Sequence, residues 1–282
     1  MTNSLEHLTL ECDRERESLL EDAISSFVCR RGSSLKTFDS DIPLSKATIH
    51  HLMRLPNLRS WVATHEPPRT LPPVAFPSLE VLRLESAALP WLHLLTPPTS
   101  RTNLRETLKF LGCPRGTVID STFSSSVANF RNLVGLRVEE YCSGAEGCIS
   151  RLTDDDVENL ADALPRLNHL QLTKPCHLNS CKTTVSSLLS LSTHCLGLKL
   201  LEIHFNTRTI VGDMRHLLDG GFGRDKAKCG LRHLRVGRLP LEAGGEDVET
   251  ITTGFKVIFP CLDTCTGGGR WYLVHTALSA LD

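Results

Sequence analysis

A short apolar pattern recurs along this chain: an apolar residue, two residues that often include proline, then a Leu-x-x-apolar-x-apolar run. Six copies carry the leading residue as well as the run: LPNLRSWVA (55–63), FPSLEVLRL (76–84), FRNLVGLRV (130–138), LPRLNHLQL (164–172), CLGLKLLEI (195–203) and FPCLDTCTG (259–267). Weaker copies are LEHLTL (5–10), LKTFDS (35–40), LKFLGC (108–113) and LRHLRV (231–236). Anchoring each copy on its first leucine gives positions 5, 35, 58, 79, 108, 133, 167, 198, 231 and 262, with steps of 21 to 34 residues. A period in this range means that each copy is one supersecondary unit that buries its apolar side only by stacking on its neighbours.

The spacing inside each copy sets the local structure. A strand alternates its side chains between two faces, so Leu82 and Leu84 are expected to point inward while Val81, Arg83 and Glu85 point out. Between anchors the chain reads as helix. In RLTDDDVENLADALP, Thr153 is placed to cap and Asp156 sits three residues on. Val157, Leu160, Ala161 and Leu164 then recur at helical spacing before Pro165. Similar helical segments are 18–28, 45–55, 183–195 and 245–259. The expected fold is therefore an α/β leucine-rich-repeat solenoid, a horseshoe of about ten irregular repeats with parallel strands on the concave side and helices on the convex side. One repeat domain spans 1–266, with Pro-rich loops at 66–77 and 96–103, and 267–282 form a C-terminal tail.

Composition agrees with such a core. Leucine supplies 47 of the 282 residues, whereas all aromatics together make up 5%. With 31 Lys+Arg against 32 Asp+Glu the net charge is -1, which excludes a polybasic nucleic-acid binder. The sequence shows neither a signal-peptide pattern nor the roughly 18 apolar residues of a membrane span. Eleven scattered cysteines, an odd number, and no Asn-x-Ser/Thr acceptor favour reduced thiols. A cytoplasmic or nuclear protein is expected, with no membrane partner.

Enzyme signatures are missing: there is no G-x-x-x-x-G-K-[ST], H-E-x-x-H or G-x-S-x-G motif and no dinucleotide glycine fingerprint. No catalytic residue and no cofactor is assigned. One cysteine constellation stands out by repeat position. Cys142 and Cys148 follow the strand at 133–138, and Cys176, His177 and Cys181 follow the strand at 167–172. Equivalent loops of stacked repeats can bring Cys142, Cys148, Cys176 and Cys181 to one rim. Tetrahedral zinc, a disulfide and separate free thiols all remain open there. The glycine-rich DGGFGRDKAKCG (219–230) reads as a flexible loop rather than a phosphate cradle, because no strand precedes it and no Lys-Ser/Thr follows. Asp154, Asp155 and Asp156 fall in a helix's first turn, where carboxylates favour the dipole, and His194 and His204 flank a strand as solvated or partner-contacting histidines.

What remains as a candidate site is the outward row of consecutive strands: Arg83, Glu85, Arg137, Glu139, His169, Gln171, Glu202, His204, His233 and Arg235. His7, Thr9, Ser60, Val62 and Val81 continue it. A long face of mixed charge suits a protein partner better than nucleic acid or a small molecule.

These repeats resemble the leucine-rich-repeat portion of F-box proteins of the fungal type. The carriers are LMRLPNLRSWVATHEPPRTLP, FPSLEVLRLESAALPWLHLL, NLRETLKFLGCPRGTVIDSTF, LTDDDVENLADALPRLNHLQL, LSTHCLGLKLLEIHFNT and LPLEAGGEDVETITTGFKVIFPCL, together with Cys195 three residues before Leu198. The resemblance implies a non-catalytic substrate receptor of a cullin-RING ubiquitin ligase, holding its substrate on the concave face, with a ligase adaptor as a further partner. No F-box is visible ahead of the first copy at Leu5. The alternative drawn from the residues is a zinc-stabilised or redox-responsive regulatory scaffold using the cysteine rim.

Overall fold

A strand begins two residues after every one of the ten anchor leucines in the computed structural model, including the weak copies at 5, 35, 108 and 231. The structure describes residues 5–11, 17–42, 44–72, 74–85, 88–96, 104–114, 117–139, 152–173, 182–220, 229–241 and 244–280. The chain divides into two compact units, Met1–Pro114 and Arg115–Asp282.

In the first unit the order is β1 (His7–Leu10), α1 (Glu17–Arg31), β2 (Thr37–Ser40), α2 (Lys46–Leu52), β3 (Ser60–Ala63), β4 (Val81–Leu84), α3 (Ala88–Leu95), α4 (Leu104–Thr107) and β5 (Phe110–Cys113). The strands are parallel and lie in sequence order. His7 is opposite Thr37, Thr37 opposite Ser60, Ser60 opposite Val81, and Val81 opposite Phe110. Alternation follows the reading of the sequence: Leu82 and Leu84 are buried, Arg83 is exposed and Val81 is half-buried. The Pro-rich segment 66–77 joins β3 to β4 with no helix or strand among its described residues. Of 96–103 only Thr96 lies within them. Behind the strands Trp61 meets Phe76 and Trp91 at centroid distances of 5.5 and 5.4 Å. The Trp91 indole N–H donates to the His65 carbonyl at 2.8 Å, satisfying its one polar atom.

The second unit runs α5 (Ser121–Val127), β6 (Gly135–Glu139), α6 (Asp154–Ala163), β7 (His169–Thr173), α7 (Val185–His194), β8 (Leu200–Glu202), α8 (Ile210–Asp219), β9 (His233–Leu241), α9 (Gly245–Ile258), β10 (Thr264–Gly269) and α10 (Trp271–Ser279). Its strands are again parallel and sequential. One register row, Leu136, Leu170, Leu201, Leu234 and Cys265, is fully buried.

The leading apolar slot of the repeat has a definite structural role. Leu164, Cys195 and Phe259 are the C-cap residues of α6, α7 and α9, all buried, with φ near -100 to -130° and ψ between 57 and 83°. Each carbonyl then accepts the N–H of the anchor three residues on, Leu167, Leu198 or Leu262, at 3.0–3.1 Å. That turn leads from helix into strand across five residues, which is why an apolar residue sits three positions before the leucine. At α6 the expected capping box is present. The Thr153 hydroxyl accepts from the Asp156 N–H at 3.3 Å, and the Asp156 carboxylate accepts from the Thr153 N–H at 2.9 Å.

Residues 267–282, expected as a tail, hold the end of β10 and the helix α10. Trp271, Val274 and Leu278 of α10 are buried. Trp271 lies within 6.1 Å of both Phe205 and Phe255 by ring centroid. Gly267 is required by this packing: a Cβ there would lie 2.6 Å from Trp271 Cδ1 and 2.7 Å from the Val236 carbonyl. The helix escapes a sequence reading because its stability comes from tertiary contact rather than capping. No helix among the described residues is long and apolar enough to cross a membrane.

Neighbouring repeats are also tied through side chains. Asp154, in the first turn of α6, accepts from the Thr184 N–H at 2.7 Å, the Thr184 hydroxyl at 2.6 Å and the Ser187 hydroxyl at 2.5 Å, all at the start of α7. Replacing it by alanine removes a charged acceptor from three donors, so D154A is expected to lower unfolding stability by about 1.5–3 kcal/mol. D154N should lose less. Urea denaturation of the three proteins checks this, and an unchanged midpoint for D154A would show that the tie contributes nothing.

Candidate functional site

The parallel register carries the outward positions into continuous rows. In the second unit, Gly135, His169, Leu200, His233 and Thr264 form one row, and Arg137, Gln171, Glu202, Arg235 and Thr266 form the next. Strands lie about 4.8 Å apart, so each of these residues stands beside its equivalent from the adjacent repeat. The structure thus brings together six of the residues singled out from the sequence: Arg137, His169, Gln171, Glu202, His233 and Arg235.

Their environments differ. Arg137, His233 and Arg235 are exposed, and His169 and Gln171 are half-buried. Glu202 retains only 8% exposure. Arg235 reaches its carboxylate with Nη1 at 3.3 Å from Oε2. Burial pushes the Glu202 carboxyl above the ordinary carboxylate range, against the opposing pull of Arg235 and, further off, Arg137. His169 is pushed down, chiefly by burial and additionally by the Arg137 charge. His233 Nδ1 lies 2.9 Å from the Thr264 hydroxyl in the next strand. No local pattern marks Glu202 as sheltered. Its strand is only three residues long and its neighbours in the row, Gln171 and Arg235, have long side chains.

His204 does not stand in a strand. β8 ends at Glu202, and the His204 carbonyl accepts from the Thr183 hydroxyl at 2.6 Å, which holds this segment against the residues preceding α7. Its expected place on the outward strand row is therefore corrected to the connection following the strand. Glu139 closes β6 in register with Thr173, but its side chain lies outside the described residues. Arg83 and Glu85 belong to the first unit, where Arg83 Nε is 3.5 Å from Glu85 Oε1. The aliphatic stem of Arg83 runs over Gly112 in the neighbouring strand, at 3.2 Å from a Cβ built there.

A second charged row was missed from the sequence. The residue immediately after each anchor leucine sits at the leading edge of its strand. In the first unit these residues are Glu6, Lys36, Arg59, Glu80 and Lys109. They pair across strands: Lys36 to Glu6 at 2.8 Å, Arg59 to Glu80 at 3.6 Å, and Lys109 to Glu80 at 2.8 Å. The hydrogen bond and charge of Lys109 hold Glu80 below its ordinary range. The signal was available in the sequence, as one column of the aligned copies reading Glu, Lys, Arg, Glu, Lys. In the second unit the same column reads Val134, Asn168, Lys199, Arg232, Asp263.

The cysteine rim of Cys142, Cys148, Cys176 and Cys181, with His177, lies outside the described residues, as does 221–228 of the glycine-rich loop. Among the described residues no group of three or more His, Cys, Asp or Glu is placed to hold a metal ion. The buried thiols are structural in environment. Burial pushes Cys113 and Cys195 up to about 12 and Cys229 up to about 11, so all three are protonated at neutral pH. Cys195 Sγ donates to the carbonyls of Leu164 and Ala161 at 3.6 and 3.7 Å, and Cys229 Sγ to that of Cys195 at 3.4 Å. His194 Nδ1 lies 3.5 Å from Asp162 Oδ1 on the preceding helix. Asp154 and Asp156 are used in capping and the inter-repeat tie described above.

Compared with protein-family models and with curated protein sequences, the chain matches none.

The raised Glu202 carboxyl has a consequence for stability. A carboxyl whose folded value lies above its unfolded one stabilises the fold while protonated, and that contribution is lost as pH rises through the folded value. At neutral pH the charge is therefore a net burden. E202Q is expected to melt higher than wild type at pH 7 and equally below the usual carboxylate range. Thermal unfolding of both proteins across that window checks it. A gain that persisted unchanged in acid would show that the charge is not its cause.

Proposed function

We propose that this chain is a leucine-rich-repeat protein acting as a non-catalytic protein-interaction module, with the exposed strand rows as its binding surface. The reading rests above all on one observation: parallel register assembles Arg137, Gln171, Glu202 and Arg235 into a single row across adjacent strands. Such a row offers donors and acceptors at a regular spacing over a broad area, a geometry matched to another protein's surface. Its content is independent of the buried row that holds the strands together, so it can be set by a partner.

Support for the leucine-rich-repeat class comes from the ten Leu-x-x-apolar-x-apolar copies, each starting a parallel strand two residues after its anchor. Within that class the resemblance to fungal F-box proteins makes the substrate-receptor role in a cullin-RING ligase the proposed cellular setting, in cytoplasm or nucleus. A ligase adaptor is proposed as a second partner on the same ground.

Affinity capture from cell extract under reducing conditions, read by quantitative mass spectrometry, tests the module. A specific set of proteins should be retained by wild type and lost by the combined R83A, R137A and E202A variant, provided that variant unfolds at a similar midpoint. Retention of an adaptor and cullin would support the ligase setting. An identical set on both proteins, or an empty one on wild type, would overturn the assignment of the strand face.

A further inference from the structure

The charge pattern at the leading edges of the strands differs between the two units in a way that folding does not require. In the first unit every cation of that column has an opposite charge beside it: Lys36 with Glu6, and Arg59 and Lys109 with Glu80. Lys36 stands beside Arg59 there, each ion-paired to an acidic residue on its other side. In the second unit Lys199 stands beside Arg232 in the same way, with no such pairs among the described residues. The Lys199 carbonyl accepts the N–H groups of both Arg232 and His233 at 3.1 Å, so the two residues are register neighbours. Both side chains are exposed, and among the described residues neither makes an ion pair. Like charges facing each other across adjacent strands destabilise a sheet. Asp263, the next residue of the column, also makes no ion pair among the described residues.

The basic character continues from this edge onto the strand face. Arg232 stands just before β9, and Arg235 is the third residue of that strand. His233 lies between them, and Arg137 stands in the same face row as Arg235. In the edge column Lys199 and Arg232 are set against only Asp263, and on the face the Glu202 charge is already engaged by Arg235.

We propose that this basic band on the second unit binds an extended, carboxylate-rich peptide segment of a partner protein, with Lys199 and Arg232 as the principal anion contacts. This inference rests on the interaction-module reading and adds the chemistry of what is bound. Lys199 and Arg232, about 5 Å apart across adjacent strands, lie within reach of side-chain carboxylates on alternate residues of an extended chain, about 7 Å apart at roughly 3.4 Å per residue. An anionic segment relieves the Lys199–Arg232 repulsion on binding, so the cost of that pair in the free protein is returned in the complex.

The experiment uses the full chain and two fluorescein-labelled 15-residue peptides, one of Glu, Gly and Ser and one with every Glu replaced by Gln, followed by anisotropy at low and physiological salt. The Glu peptide is expected to bind about 10-fold or more tighter than the Gln peptide and to weaken steeply with salt. K199E/R232E should lose about 10-fold or more of that affinity, and K199Q/R232Q, which avoids charge reversal, an intermediate amount. K182E/R208E changes net charge equally on the connections leading into α7 and α8, and should stay within about 2-fold of wild type. Equal binding of the two peptides, no binding of either, or an equal loss in K182E/R208E would overturn the inference. If it falls while the captured proteins are still lost on combined change of Arg83, Arg137 and Glu202, the module reading stands without its acidic ligand. If both experiments fail, both readings fall.

Discussion

The carbonyl of the residue just before a strand accepts two successive N–H groups from the next repeat, and the order of the strands in each unit depends on this contact. Glu6, Lys36, Arg59 and Glu80 do so in the first unit, and Val134, Asn168, Lys199 and Arg232 in the second, at 2.7–3.2 Å throughout. The shared acceptor fixes where each strand starts relative to the last. Because side chains alternate with a period of two, a slip of one residue would move Leu136, Leu170, Leu201 and Leu234 to solvent and Arg137, Gln171, Glu202 and Arg235 into the core. Burying four leucines against the helices, at about 1.5–3 kcal/mol each, makes that slip prohibitive. A rigid register is also what turns single exposed residues on separate repeats into rows.

The helical side is governed by the entry into each strand. Leu164, Cys195 and Phe259 close their helices in nearly the same backbone conformation and lead into the turn that delivers the anchor leucine. The slot needs a buried residue that leaves its own carbonyl free for the turn, and size varies widely among leucine, cysteine and phenylalanine. Cysteine adds a weak thiol donor, used by Cys195 toward the carbonyls of Leu164 and Ala161 in the repeat before it. Buried and protonated, this thiol acts as a small apolar residue with one polar contact. The cysteines described in the core thus answer to packing.

Much of this was legible in the sequence because it is local or periodic. The anchors located all ten strands, the alternation sorted Leu82 and Leu84 from Arg83, and Thr153 with Asp156 marked the start of α6. Other helices were not legible. α3 carries Pro90 in its first turn beside Pro-rich segments, a place where proline is tolerated because the N–H it lacks has no helical partner. α5 reads as the Ser-rich STFSSSV, with Asp120 as its only strong signal. α10 follows three glycines and is held by Trp271 over Gly267, a contact between non-adjacent side chains that no local pattern announces. At the candidate site the membership of the rows could be read, apart from His204. The shelter of Glu202 and the pairing at the strand edges needed the register itself.

The two units treat the same edge differently. Glu6, Lys36, Arg59, Glu80 and Lys109 each have an oppositely charged partner within the column, surface pairs that add little to stability. The equivalent column of the second unit forgoes even that, and β9 then adds Arg235 on the face, where it offsets a carboxylate that burial disfavours. Neither the Lys199–Arg232 juxtaposition nor the sheltered Glu202 favours the folded chain, since a glutamine in place of either cation would stack as well on the same backbone ladder. Departures from local stability at adjoining positions of an otherwise regular repeat are where binding residues concentrate. Here such departures adjoin at the entry of β8 and β9 and on β9 itself, which is where the proposed anionic ligand is placed.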